Sequence, residues 1–537
     1  MDLPLPILRN SQSSRYQRHT FVLKAFKTSQ LIKYPKLTEL SFNPASHISI
    51  DPMSFPKLCQ SLESLKSLNI LDLNFSYTID LNDRNLKDLS LALRQLRSLT
   101  ILSLNFKKNW NITGKGIAKL LKTVRNNRFL SELYLAFTGC GGVSYQHLES
   151  IYESISSMKL LTSLHLHHFD IFIHDSQGMG FAQNLATLGR LHYMKDLSID
   201  FDFNQALNSL DITALSKSIQ RMVRLSKISL HFSDSSFISK ESLEKLASSL
   251  RNLPKLQKLH LHFPPMHDLS KKHFDVISKA FEHSSVISNL ILDFSKSRPA
   301  EKLETEKLFL SLQTVINLSK LDLNFSFCPH SDNQTLQSLS QSLRNLRNLS
   351  SLKLNFSECP LINGEGFTHL ADILRNLTLI EIFELSLPKQ SSKNGFIQFA
   401  EALSNLTNLS KLSLNIYQSK DFGNKEMEAL TNPFEKFRKL RSLELNLSCC
   451  PQITNIGLNT LTSRLCRLQS LTTLDLNFFG CRNITIESVE FLKSHLTLLG
   501  SLRNTSLNFP NTLSSSGFVQ KKPQQDDVSK NSTCSLM

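Results

Sequence analysis

The chain is poor in the residues that break or loosen structure: of 537 residues, 16 are glycine, 17 proline and one tryptophan. That scarcity excludes a collagen-like or broadly low-complexity polypeptide. No run of 18 apolar residues occurs, so no transmembrane helix is expected. The opening "MDLPLPILRNSQSSRYQRHT" lacks the apolar core of a secretory signal, and nine cysteines in such a chain point to reduced thiols and a cytoplasmic setting. Catalytic signatures are missing too: there is no Walker A loop, HExxH, G-x-S-x-G elbow or paired C-x-x-C, so no enzymatic activity is expected. "TGKGIAKLL" around Lys115 lacks the spacing of a phosphate loop. Acidic residues are in deficit, with 45 against 61 basic ones, and a net charge of +16 favours anionic partners such as acidic proteins or a membrane face.

What the chain does contain is one sentence repeated. "LSKLDLNFSFC" at Leu318 returns as "LSSLKLNFSEC" at Leu349, "LRSLELNLSCC" at Leu440 and "LTTLDLNFFGC" at Leu471. Sixteen such starts run from Leu37 to Leu502, 31 residues apart except for one interval of 33 before Met194 and one of 29 before Leu409. Apolar residues at positions 4, 6 and 8, as in Leu352, Leu354 and Phe356, alternate with the period of a strand buried on one face. Those at positions 19, 22, 26 and 29, as in Leu336, Leu339, Leu343 and Leu346, make one stripe on a helix. Strands that alternate with helices must run parallel, with the helices on one side.

These units resemble the leucine-rich repeat family, in particular its long-repeat, ribonuclease-inhibitor-like and cysteine-containing members. The resemblance implies an α/β horseshoe solenoid of about 16 strands, a parallel sheet on the concave face and helices on the convex face, binding protein partners. The pattern L-x-x-L-x-L-x-x-N/C-x-L is met at its leucines but not at its ninth position, where Ser76, Ser326, Ser357 and Ser448 stand. Cysteine falls instead at position 11, in Cys140, Cys328, Cys359, Cys450 and Cys481, a column that reads as small buried residues turning the chain inward. Three segments follow: 1–36 as an N-terminal cap, 37–510 as the repeat array and 511–537 as a polar, disordered tail.

On the exposed face, position 7 carries asparagine in nine units, among them Asn74, Asn324 and Asn446, as in a structural ladder. From the fifth to the ninth unit the column changes to His167, Asp200, His231, His262 and Asp293, with His165 and His260 two residues upstream in their strands. The 33-residue unit beside them enlarges the loop "HHFDIFIHDSQGMG", whose apolar tip includes Phe172. These residues are the candidate partner-binding site. Histidine and carboxylate also suit zinc, but no spacing fixes a tetrahedral set, and neither metal nor other cofactor is expected. Imidazole titrates near pH 6.5, so docking through this patch is expected to vary between about pH 5.5 and 7.5.

Arginines recur at position 27 (Arg94, Arg125, Arg251, Arg344, Arg375) and position 30 (Arg97, Arg128, Arg347, Arg438). They fit either the C-terminal helix dipole or a basic rim facing an acidic partner or anionic lipid. Nucleic acid is not favoured, since exposed aromatics are not interleaved with them. The last residues, Cys534-Ser535-Leu536-Met537, fit a C-a-a-X farnesylation signal at Cys534, which would add a membrane surface as partner. The sequence reading is therefore a non-enzymatic interaction scaffold. Its alternatives are a substrate-recognition subunit of a ubiquitin ligase, from the F-box-like "LPLPIL" at Leu3–Leu8, and a farnesyl-anchored membrane adaptor.

Overall fold

The computed structural model describes residues 20–23, 36–43, 54–78, 80–167, 180–201, 207–232, 239–263, 271–297, 305–387 and 393–510. The chain divides between Gly142 and Val143 into two units. In the first, β1 (Thr20–Leu23), β2 (Glu39–Phe42), β3 (Ile70–Asn74), β4 (Ile101–Asn105) and β5 (Glu132–Ala136) pair in parallel and in sequence order. Helices α1 (Ser54–Glu63), α2 (Asp83–Gln95) and α3 (Gly114–Val124) connect β2 to β5. β1 lies inside the segment read as a cap, so among the described residues the sixteen expected strands are joined by a seventeenth.

The second unit continues with β6 (Ser163–His167), β7 (Asp196–Asp200), β8 (Lys227–His231), β9 (Lys258–His262), β10 (Asn289–Asp293) and β11 (Lys320–Asn324). Then come β12 (Ser351–Asn355), β13 (Ile382–Ser386), β14 (Lys411–Asn415), β15 (Ser442–Asn446), β16 (Thr473–Asn477) and β17 (Asn504–Asn508). Each strand pairs in parallel with the next. Between or before them run α4 (Tyr145–Ser157), α5 (Gly180–Thr187), α6 (Ser209–Arg221), α7 (Lys240–Arg251) and, among the described residues, eight further α-helices. The register holds through both irregular intervals: His167 still faces Asp200 across the 33-residue unit, and Ser386 still faces Asn415 across the 29-residue one.

The even positions form the core. Leu352, Leu354 and Phe356 are buried, while Lys353 and Asn355 between them are only partly covered. Each buried leucine contributes roughly 2 kcal/mol of apolar transfer. Position 8 is stacked phenylalanine: Phe201, Phe232, Phe263, Phe294, Phe325 and Phe356 follow one another at ring spacings of 5.1–6.2 Å. In the first unit Phe75, Phe106 and Phe137 do the same at 5.4 and 5.5 Å.

The cysteine column is buried, as the sequence implies, and its chemistry is specific. Each thiol donates to the position-8 carbonyl of the preceding unit: Cys140 to Phe106, Cys328 to Phe294, Cys359 to Phe325, Cys450 to Ile416 and Cys481 to Leu447, at 3.1–3.2 Å. Asn109 stands in the same place and gives its amide to the Phe75 carbonyl at 2.8 Å. Burial pushes the thiols up, Cys359 and Cys481 to about 11 and Cys450 to about 12, so they act as small donors rather than nucleophiles.

One column was not legible beforehand. The residue before these cysteines, position 10, is left-handed in Tyr77, Lys108, Lys296, Phe327, Glu358, Gln418 and Cys449, with φ between 57° and 63°. Gly139 and Gly480 hold the same place at φ 77°. The turn from strand into the interior requires this conformation, whichever side chain is present.

Candidate docking face

The site is built on the helix-free face of the second unit, where position-7 side chains of successive strands are in register. Asp200 on β7 stands between two histidines: His167 Nδ1 lies 3.0 Å from its Oδ2, and His231 Nδ1 lies 3.0 Å from its Oδ1. The His231 ring meets His262 edge-on, centroids 3.9 Å apart and planes at 72°. His262 Nδ1 lies 2.9 Å from Asp293 Oδ2, which also accepts from Asn324 Nδ2 at 3.0 Å. Five of the expected site residues thus join into one file across β6–β10, extended by Asn324 on β11.

An ionised carboxylate only accepts, so each Nδ1 on it carries a proton. Burial alone would push the Asp200 carboxyl up, but the hydrogen bonds and charges of His167 and His231 outweigh it and hold it well below the usual range. For Asp293 the same contest, with His262 and the Ser295 amide on the opposing side, ends at about 2. Both carboxylates are therefore anionic at neutral pH. His167 and His231 remain about a third exposed, at 35% and 32%, and present their rings on the open face.

The other two histidines stand apart from this file. His165 Nε2 lies 3.5 Å from Asp196 Oδ2, which also takes Lys227 Nζ at 2.9 Å, so it belongs to a separate cluster. His260 Nδ1 lies 3.0 Å from the Ser229 hydroxyl. Burial, with His262 adding repulsion, draws His260 down to about 4, so it is neutral across the pH 5.5–7.5 window in which the patch was expected to titrate. Phe172 and its loop lie outside the described residues, as do Cys534, the tail 511–537 and "LPLPIL". Among the described residues no three His, Cys, Asp or Glu side chains converge as metal ligands.

Asp196, Lys227 and Ser229 were missed in the sequence, and Asn324 was read only as a member of the structural ladder. Their signal was the register itself, which places Asp196 beside Lys227 and Ser229 beside His260. Elsewhere the asparagine column is structural, as expected. Asn74 donates to Asn43 at 2.8 Å and Asn446 to Asn415 at 2.9 Å. Asn74, Asn105, Asn324, Asn355, Asn446 and Asn477 also receive the amide two residues on, as Asn324 does from Ser326 at 3.0 Å and Asn446 from Ser448 at 3.2 Å.

No family model and no curated protein matches the chain. Among solved structures it is similar to the complex of Rad7 and Elc1 in yeast, at 16% identity and a TM-score of 0.42, covering 83% of this chain and 81% of that one. It is also similar to a leucine-rich repeat protein of Leptospira interrogans, at 15% identity and a TM-score of 0.37, covering 90% and 99%. At those scores the architecture rests on the strands and helices themselves. Each unit is an α/β solenoid of parallel strands alternating with helices. No helix among the described residues is long and apolar enough to cross a membrane.

Proposed function

We propose that the chain is a non-enzymatic scaffold that holds a protein partner on the open sheet face of β6–β10. The observation that carries this is the replacement of the structural asparagine column by the His167–Asp200–His231–His262–Asp293 file, a partly exposed polar row fixed by its own hydrogen bonds. Side chains already held in one rotamer lose little entropy on docking, which favours recognition. The formal charge of +16 favours a partner with an acidic surface.

The test is affinity capture with the intact chain beside His231→Asn/His262→Asn, with Asn446→Ala as control on β15. Partners lost from the double variant and retained by the control, with amide protection confined to β6–β10 on binding, support the reading. An unchanged catch moves the interface elsewhere.

A further inference from the structure

Parallel strands bring all their N-terminal ends to one edge. At β7–β9 that edge carries Lys195, Arg224, Lys255 and Lys258 on turns and strand starts, with Arg221 and Arg251 at the ends of α6 and α7. All six are exposed, and none is ion-paired with a carboxylate among the described residues. The helix dipole accounts for Arg221 and Arg251, but the other four lie beyond the helices. Neighbouring strands sit about 4.8 Å apart, so three of them gather these cations within about one Debye length. The nearby Asp196 is already taken by Lys227 at 2.9 Å.

The same edge is apolar in places. Leu160, Tyr193 and Val223 are 56%, 46% and 53% exposed, and the Arg224 guanidinium lies 4.7 Å from the Tyr193 ring centroid. With that ring face covered by Arg224, Tyr193 is poorly placed to stack a nucleobase. At β10 the edge changes: Val286 and Asn289 stand where Lys255 and Lys258 stand at β9, so the cationic stretch stops on that side, while exposed Arg190 and Lys159 continue it toward β6. A planar lipid surface would gain from a longer one.

We propose that the N-terminal edge of β7–β9 docks an extended acidic polypeptide segment of a partner protein. Its carboxylates pair with Lys195, Arg224, Lys255 and Lys258, and its interspersed apolar side chains lie against Leu160, Tyr193 and Val223. This rests on the scaffold reading for its biology but not on the histidine file.

The test uses the full chain and a fluorescent peptide of alternating glutamate and leucine, read by anisotropy. Lys195→Glu/Arg224→Glu/Lys255→Glu should weaken binding by at least about ten-fold. The charge-matched Arg438→Glu/Lys439→Glu/Arg441→Glu should stay within about two-fold. Binding should fall steeply between roughly 50 and 300 mM salt. The milder triple change to glutamine, with circular dichroism alongside, separates lost docking from lost folding, and should weaken binding less than charge reversal does. His231→Asn/His262→Asn should leave peptide binding unchanged, so failure here and failure of the histidine file remain distinct. Equal weakening by both glutamate triples, no binding by the intact chain, or tighter binding of phosphatidylserine vesicles or single-stranded DNA than of the peptide would overturn the proposal.

Discussion

At the scale of the residue, the left-handed column at position 10 is the most instructive feature. Holding Phe327 at φ 57° costs about 1–2 kcal/mol that glycine avoids, against about 0.5–1 kcal/mol of extra chain entropy that glycine loses. Phe327→Gly should therefore leave stability unchanged or raise it by up to about 1.5 kcal/mol in urea unfolding. Gly480→Ala should destabilise, since its Cβ would sit 2.7 Å from Cys449 Sγ. A destabilised Phe327→Gly would mean that the half-exposed ring packs usefully. Seven of these nine places hold an ordinary side chain, so no glycine column announced the turn.

Protons make a second residue-scale case, at His260 and Asp322. The ring of His260 is drawn down to about 4, whereas an unfolded histidine titrates near pH 6.5. Between these values the unfolded state binds the extra proton, so this group's contribution to stability falls as pH drops through the interval. Relative to the intact chain, His260→Asn should gain roughly 2–3 kcal/mol between pH 6.5 and pH 4. Asp322 runs the other way: burial lifts it to about 6, against the attraction of Lys353 and with repulsion from Glu384 and Asp293. Its protonated form favours the fold, and that stability is lost as pH rises from about 4 through 6. Asp322→Asn should thus gain on the intact chain over the same interval as pH rises. Parallel unfolding curves for the two variants would refute both assignments.

At the scale of the element, each strand–helix unit is completed by its neighbour. The Phe325 carbonyl accepts the Cys328 amide of its own unit at 3.2 Å and, from the next unit, the Cys359 thiol at 3.1 Å. Cys359→Ala should cost about 0.5–1.5 kcal/mol by removing that second donor, and Cys359→Ser, which keeps one, should cost less. Leu354→Ala on β12 should cost about 2–5 kcal/mol through the cavity it opens. Chemical denaturation measures all three, and equal losses for serine and alanine would dismiss the hydrogen bond.

The strands and their register were legible because leucine spacing is imposed by burial, which the sequence must obey at every turn. Ladders of charge were less so. Lys353, Glu384, Lys411 and Glu444 form a chain of ion pairs at 3.0–3.1 Å across β12–β15. Lys353, Glu384 and Glu444 stand in column 5 but Lys411 in column 3, so following either column alone breaks it. Of the candidate site, His167, Asp200, His231, His262 and Asp293 were visible as a break in a repeated column. The separate places of His165 and His260 depended on side-chain partners that periodicity does not specify.

At the scale of the whole molecule, the two units are each extended stacks whose open faces outlast any single contact. Stability in such stacks is a sum of unit terms and neighbour terms. The even interval changes, to 33 before Met194 and 29 before Leu409, leave every backbone partner in β6–β7 and β13–β14 matched. Length is therefore elastic in the arcs and inelastic in the rungs. Natural variation can add or drop residues between one rung and the next without disturbing what any rung displays. A single residue slipped between Leu354 and Asn355 would instead turn the remainder of that rung inside out, exchanging its greasy and watery sides.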